Sequence, residues 1–165
     1  MSDLPAYPSG AAEREAAEAP SGADIAYAGW WSRVGAYFID MLLVSVIVLL
    51  AFVVSALVAA VQEDVGLILL FVVVALAIAG PVWYYIYFTG KAPGQTIGKK
   101  ALGIRVRHAD EDRPIGYGPA TARYLITFAF GIFVIPALID YLWPLWDSRN
   151  QSLHDKAANS VVVRA

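Results

Sequence analysis

The chain has 165 residues, of which 59% are hydrophobic and 16% are charged, and its formal net charge at pH 7 is −2. Soluble domains carry about 25% charged residues, so this composition is typical of a protein that is partly surrounded by lipid. The sequence contains no cysteine, which excludes a disulfide framework, a thiolate metal site and a cysteine nucleophile.

The first 27 residues are acidic and contain few large apolar side chains. Five carboxylates oppose one cation in this segment: Asp3, Glu13, Glu15, Glu18 and Asp24 against Arg14. Such a segment cannot bury enough apolar surface to fold alone, and it lacks the basic start and apolar core of a signal peptide. We therefore predict a flexible acidic tail over residues 1–27, with docking to a partner as the alternative use of its charge.

Two long apolar runs follow the tail, over residues 34–61 and 65–88. Each is longer than the about 20 residues that a helix needs to cross a bilayer core. Because only residues 62–64 separate them, the two helices are expected to form a tight antiparallel transmembrane hairpin. Pro81 lies inside the second run and predicts a kink there, since it removes a backbone donor.

Aromatic and basic residues predict the orientation of this hairpin. Trp30 and Trp31 precede the first run, and the mostly aromatic stretch 83–88 closes the second, as is typical of a membrane–water interface. The turn contains no Lys or Arg, whereas residues 90–123 contain seven. By the positive-inside rule, this basic loop and the N-terminal tail are cytoplasmic.

A third apolar segment covers residues 123–146. Its apolar part, residues 124–139, is about 24 Å long as a helix, which is less than a bilayer core of about 30 Å. The segment after it carries three cations, which favour the cytoplasmic side: Arg149, Lys156 and Arg164. We predict a broken or re-entrant helix that turns at Pro136 and returns the C-terminal segment to the cytoplasm. The alternative is a full third span with that segment outside.

Two short stretches with alternating apolar residues predict a small sheet at the membrane surface. They are residues 102–107 and 161–164, and turn-forming residues 110–114 follow the first. The two stretches can pair only if both lie on one side of the membrane. The predicted fold is therefore an all-α membrane protein with a transmembrane helical hairpin, a third broken or re-entrant helix and a small juxtamembrane β element.

Two carboxylates lie at membrane depth, where an ionised side chain is costly and marks a functional hypothesis. Asp40 lies within the first run and Asp140 at the end of the third segment. If their helices face each other, they suit the binding of a proton or a small cation. The structural alternatives are that Asp40 pairs with a loop cation near the interface and that Asp140 ends its helix. Arg33 lies two helical turns before Asp40, on the same face but too far away for direct contact on an ideal helix.

The basic loop does not match a phosphate-binding loop. Gly94 and Gly98 are separated by three residues instead of four, and Lys100 stands where Ser or Thr is required. We therefore exclude a nucleotide site. Lys99 and Lys100 are interpreted as contacts to lipid headgroups or as orientation signals.

The segment before the second predicted strand contains His154, Asp155 and Lys156. Because His108 is the only other histidine, a transition-metal site is not expected. No nucleophile is spaced to use a catalytic histidine, so we expect a helix cap or an interhelical ion pair. The sequence indicates no enzyme, no cofactor and no binding of nucleic acid.

Three blocks of sequence resemble the RDD family of small bacterial membrane proteins. They are AGWWSRVGAYFIDMLL (28–43), TIGKKALGIRVRHAD (96–110) and SRNQSLHDKAANSVVV (148–163). The resemblance extends from residue 28 to the C terminus, excludes the acidic tail and implies a multi-pass protein of the bacterial cytoplasmic membrane. Asn159 and Ser160 depart from the Gly-Thr pair that is usual in the family.

The family is named for one arginine and two aspartates. Arg33 and Asp40 match the arginine and the first aspartate, and the second corresponds to Asp155 or to Asp140. The resemblance also marks motif residues, which are Thr96, Gly98, Lys99, Gly103 and Arg105 in the loop and Gln151, His154 and Lys156 near the C terminus.

The resemblance leaves two classes of function open. The first is proton-coupled transport of a cation or small solute, in which Asp40 acts with Asp140 or Asp155 and Arg33 resets the carboxylate pKa. Because two or three spans cannot enclose a pore, such a transporter is expected to be a homo-oligomer. The second is an accessory or scaffold subunit that packs its hairpin against other membrane subunits and uses the basic loop and the acidic tail as contacts. In both, the partners are the lipid bilayer and membrane proteins.

Overall fold

The computed structural model describes residues 25–165, so the predicted acidic tail lies almost entirely outside the described residues. The elements along the chain are α1 (Trp30–Ala59), α2 (Glu63–Gly90), α3 (Ile97–Ala101), β1 (Ile104–His108), α4 (Tyr117–Gly131), α5 (Val134–Leu142), a 3-10 turn (Trp143–Leu145), α6 (Leu153–Ala157) and β2 (Ser160–Arg164). The prediction of two long apolar helices, a shorter apolar helix and a small two-stranded sheet is confirmed.

Helices α1 and α2 form the predicted hairpin. They have 30 and 28 residues, which is about 45 and 42 Å of helix. In each helix only 6% of the most apolar window of 18 residues is buried. A core helix of a soluble protein would be mostly buried, whereas helices that face lipid remain exposed in the single chain. Helix α2 continues through Pro81 without interruption.

The third apolar segment differs from its prediction at two places. Helix α4 begins at Tyr117, ahead of the predicted residue 123. The break falls at residues 132–133, where Phe133 is extended with φ −120° and ψ 128°, and the predicted turn at Pro136 was wrong. Pro136 lies in the first turn of α5, where backbone N–H groups have no partner within the helix and proline is tolerated.

Strands β1 and β2 pair in antiparallel orientation, with Val106 opposite Val162. The predicted pairing of the two alternating stretches is therefore confirmed. The chain just before α1 joins the same sheet, because Tyr27 bridges to Val163 and the Ala28 N–H donates to the Val162 carbonyl at 2.8 Å. The start of α1, the basic loop and the C-terminal segment consequently meet at one end of the hairpin.

A small apolar core lies where the sheet packs against the ends of the helices. Its buried members are Ala28, Ala36, Ile104, Val106, Ile115, Ala120 and Val162. These side chains come from the segment before α1, from α1, β1, α4 and β2, and from the loop before α4. The core therefore fixes the starts of α1 and α4 relative to the sheet, which positions the buried polar side chains described next.

Candidate functional site

Asp40 is 1% exposed and anchors the basic loop to the hairpin. Its carboxylate accepts hydrogen bonds from the Tyr84 hydroxyl at 2.7 Å, the Thr96 hydroxyl at 2.6 Å and the Gly98 amide at 2.7 Å. Within residues 25–165 no cation lies at ion-pair distance from Asp40, so the predicted loop cation is replaced by neutral donors. Hydrogen bonds to an ionised acceptor are stronger than neutral ones, and three of them fix α3 against α1 and α2.

The local sequence explains why α3 can approach so closely. The Thr96 hydroxyl caps the helix by accepting from the Lys99 amide at 3.3 Å, while it also donates to Asp40. A Cβ atom added at Gly98 would collide with the Ala36 carbonyl oxygen of α1, so only glycine fits there. Gly103, with φ +61°, turns the chain from α3 into β1.

Asp155 is fully buried and pairs with arginines from two other helices. Arg33 of α1 lies 2.5 Å from one carboxylate oxygen, and Arg123 of α4 pairs with the other. Burial alone raises the pKa of Asp155, but attraction to Arg123 and Arg33 outweighs it and holds this pKa well below its usual range. The structure therefore pairs the arginine of the first motif with Asp155, not with Asp140.

His154 links Asp155 to Asp140 of α5. Asp140 accepts from the His154 backbone N–H at 2.9 Å and lies 2.7 Å from the ring Nδ1. The ring Nε2 lies 3.5 Å from Asp155. Asp40 and Asp140 share no partner, so the structure does not join them into one cation site. We call Arg33, Arg123, Asp140, His154 and Asp155 the buried charge cluster.

The remaining C-terminal motif residues hold α6 in place. Ser152 and Asp155 form a reciprocal capping box, so the cap and the interhelical ion pair that the sequence predicts both involve Asp155. Gln151 donates to the Ser160 carbonyl at 2.9 Å. Lys156 is exposed and pairs with Asp147; burial alone raises the pKa of Asp147, but the hydrogen bond from Lys156 lowers it below its usual value.

Arg105 occupies a peripheral position. It extends from β1 to within 3.8 Å of the exposed Asp112, which also pairs with Arg107 at 3.2 Å. Ion pairs in which one partner is exposed to solvent, as Asp112 is here, are screened by water and contribute about 0–1 kcal/mol. Arg105 therefore belongs to the outer surface of the sheet and does not contact the buried charge cluster.

Sequence reasoning missed Tyr84, Arg123 and Ser160 as functional positions. Arg123 also donates to the Ser160 hydroxyl. Its importance could be inferred only once α4 was known to begin before it, because an arginine inside an apolar helix needs a partner. The departure from Gly-Thr is compatible with this geometry. Asn159 adopts a left-handed φ of +45°, which asparagine tolerates, and Ser160 retains the hydroxyl that threonine would supply.

Lys99 is only 6% exposed, so its predicted contact with lipid headgroups was wrong; the neighbouring Lys100 is exposed and retains that interpretation. Lys99 lines a cavity of about 260 Å³ together with Tyr37, Tyr85, Thr89, Arg123 and Tyr141. Burial, reinforced by repulsion from Arg123, lowers the pKa of Lys99 to about 7. We call this space the Lys99 cavity.

A metal has no evident site in the part of the chain that the structure describes. Residues 25–165 contain no group of three histidine, aspartate or glutamate side chains arranged to hold an ion. In the nearest arrangement, Asp155 pairs with Arg33 and Arg123, and Asp140 contacts His154.

Comparison with known proteins gives one family and three relatives. The RDD family model matches residues 27–159. A protein named proline-rich antigen from Mycobacterium leprae (strain TN) is 29% identical over 156 residues, which cover 84% of this chain and 61% of that protein. Proteins named proline-rich antigen homolog from two Mycobacterium tuberculosis strains, CDC 1551 / Oshkosh and ATCC 25618 / H37Rv, are 38% identical over 82 residues, which cover 50% of this chain and 32% of each of them.

The chain spans less than two thirds of the length of these relatives. No solved structure matches it. The family match extends from the bridge at Tyr27 to the turn at Asn159 and so includes the hairpin, the Asp40 anchor and the buried charge cluster. Because the match covers most of the chain, this protein belongs to the RDD family of membrane proteins.

Proposed function

We propose that this protein transports a small solute across the bacterial cytoplasmic membrane as a homo-oligomer, in a proton-coupled manner, with the Lys99 cavity as its solute-binding site. The observation that carries the proposal is the cavity itself. It lies between α1, α2 and α4, and its lining includes a buried lysine. Concave sites with a few convergent polar groups are where small molecules bind.

The paired strands support a definite topology. β1 follows α2 and β2 lies near the C terminus, and their pairing supports a topology in which both lie on one side of the membrane. The segment between them must then enter and leave on that side. Helices α4 and α5 are about 22 and 14 Å long, each shorter than a core of about 30 Å, which fits a re-entrant pair. The basic loop favours the cytoplasm for this side.

The contacts of the carboxylates favour a solute other than a bare cation. Asp40 is engaged by three donors, and Asp155 is engaged by two arginines. A carboxylate whose acceptor positions are occupied is poorly placed to coordinate a cation. Lys99 has no such partner within the described residues, so we assign the coupling proton to Lys99 and a structural role to Asp40.

A second function, that of an accessory or scaffold subunit, is favoured by a different observation. Large apolar side chains such as Phe38, Leu49 and Leu57 are exposed along α1. An uncovered helical hairpin of this kind can pack against other membrane subunits as well as against lipid or its own copies. In that case the Lys99 cavity would be part of a structural domain.

Purification in a mild detergent, followed by light scattering and mass spectrometry, distinguishes the two functions. A homo-oligomer supports transport, and stoichiometric foreign subunits support the accessory role. Proteoliposomes loaded with a pH-sensitive dye are then exposed to sodium, potassium or phosphate gradients. We expect a dye response above that of protein-free liposomes, lost in Lys99→Met and kept in the matched control Lys100→Met. A response equal to that of empty liposomes under all gradients would contradict transport of these solutes.

A further inference from the structure

Several polar side chains line the Lys99 cavity. They include Lys99, Thr89, Tyr37, Tyr85 and Tyr141, and Lys99 forms no ion pair within residues 25–165. Lys99 is 6% and Thr89 is 5% exposed. Buried polar groups are normally paired, and a buried charge without a partner is especially costly. The lining therefore fits a ligand that accepts hydrogen bonds.

The charged side chains near Lys99 already have ion-pair or hydrogen-bond partners of their own. Arg33, Asp40, Arg123 and Asp155 act on Lys99 from the packed helices, and the other titratable groups that line the cavity are Tyr37, Tyr85, Tyr124, Tyr141 and His154. Asp155 pairs with both arginines, and Asp40 accepts from three neutral donors. Lys99 is the cation that this arrangement leaves without an ion-pair partner in the described residues. Its complement is an anion.

We propose that the Lys99 cavity binds an oxyanion, a carboxylate or phosphate group, with Lys99 as its charge partner and Thr89 and the tyrosine hydroxyls as hydrogen-bond donors. Lysine and hydroxyl groups donate, and oxyanion oxygens accept. This inference rests on the proposed function, because it names the ligand class of the same cavity. The anion comes either from a soluble metabolite or from a lipid headgroup.

The size of the cavity limits the ligand. Its volume of about 260 Å³ is just below the range of about 300–1,000 Å³ that is typical of small-molecule sites. Tyrosine rings from four helices line the wall, so the part of the ligand beyond the oxyanion is expected to be apolar or aromatic.

Binding should be linked to protonation of Lys99. Burial and repulsion from Arg123 lower the pKa of Lys99 to about 7, so the free site loses its positive charge as the pH rises through neutrality. A bound anion stabilises the protonated amine, which means that binding above this pH takes up a proton. The affinity for an oxyanion should therefore be higher at about pH 6 than at about pH 8.5.

The test is isothermal titration calorimetry of the full chain in a maltoside detergent, which contains no phosphate. The probes are inorganic phosphate, acetate and a short-chain phosphatidylglycerol. We expect at least one probe to bind, with about tenfold weaker binding in Lys99→Met and unchanged binding in Lys100→Met. Binding of phosphate or acetate identifies a soluble oxyanion, and binding of phosphatidylglycerol alone identifies a lipid. Failure of all three probes, or equal affinity in Lys99→Met, would overturn the proposal.

Two further measurements keep the result interpretable. Thermal unfolding should show that Lys99→Met is folded, because the substitution removes a desolvated charge at similar volume, and Lys99→Arg should retain binding. Oxyanion binding without proton flux in proteoliposomes would support this inference and contradict the transport proposal. Flux that depends on Lys99 without oxyanion binding would contradict this inference alone.

Discussion

Asp155 joins α6 to α1 and α4 through its pairs with Arg33 and Arg123. We expect Asp155→Asn to destabilise the protein by about 3–5 kcal/mol, since it leaves Arg33 and Arg123 buried without their carboxylate. Arg33→Met should reduce the free energy of unfolding by less, because Arg123 still pairs with Asp155. The double mutant Arg33→Met/Asp155→Asn should show a coupling energy of at least about 1 kcal/mol when reversible unfolding in detergent is measured.

The pair of Arg105, which is partly buried, and Asp112, which is exposed, provides the control for this cycle. Its partners lie 3.8 Å apart at the outer surface of the sheet, and their coupling should be within about 0–1 kcal/mol. If Arg33 and Asp155 couple no more strongly than this surface pair, the buried ion pair does not hold α1 to α6.

Asp40 is the second residue whose substitution gives a clear expectation. In Asp40→Asn the new amide NH₂ must face at least one of the donors on Tyr84, Thr96 and Gly98. We expect a loss of stability of about 2–3 kcal/mol, because hydrogen bonds to a charged group are weakened. Tyr84→Phe removes one of these bonds and should cost about 1 kcal/mol. Folded yield and thermal unfolding measure both, and an unaltered yield of Asp40→Asn would contradict the anchoring role.

At the scale of elements, the contact between α3 and α1 depends on a single glycine. Gly98→Ala places a methyl group against the Ala36 carbonyl oxygen, and backbone cannot move away without breaking the bond from Gly98 to Asp40. We expect a destabilisation of about 1–3 kcal/mol, the usual cost of overpacking, or more. Thermal unfolding in detergent measures it.

Gly118 in α4 is the control for this substitution. A Cβ at Gly118 meets no atom within 4 Å, so Gly118→Ala should be neutral or stabilising by up to about 1 kcal/mol, because alanine has the higher helix propensity. Equal effects of the two substitutions would show that α3 does not pack as closely as the structure indicates.

The third apolar segment shows why the ends of elements are difficult to predict from local signals. Proline suggested a break at Pro136, yet the first turn of a helix tolerates proline because its N–H groups lack partners in any case. The break after Gly131 has no comparable signal except that glycine itself. Tertiary packing of α4 against α2 and α6 decides where this helix begins and ends.

At the scale of the whole molecule, the paired strands predict that the chain before and the chain after the third apolar segment are both cytoplasmic. Exposed positions for single cysteines are Ser148, Glu111 and Gln62, in a chain that has no cysteine of its own. Cysteines at Ser148 and Glu111 should react with an impermeant maleimide only after permeabilisation, whereas a cysteine at Gln62, in the hairpin turn, should react in intact cells. Labelling of Ser148→Cys in intact cells would establish a third full span instead.

The sequence by itself determined the features that local pattern encodes. The length of the apolar runs specifies the hairpin, alternation specifies the two strands, and the three motif blocks specify the family. A helix cap near Asp155 was also predictable, because a capping box uses residues only three positions apart, here Ser152 and Asp155.

Only the tertiary structure decided which charges pair and which remain available. Arg33 and Asp155 are 122 positions apart, and Asp40 finds its donors on two other segments. Lys99 and Lys100 are adjacent and chemically identical, yet one is buried in a cavity and the other is exposed. The reason is physical: the free energy of a charged side chain depends on its surroundings in space, and elements distant in sequence create those surroundings.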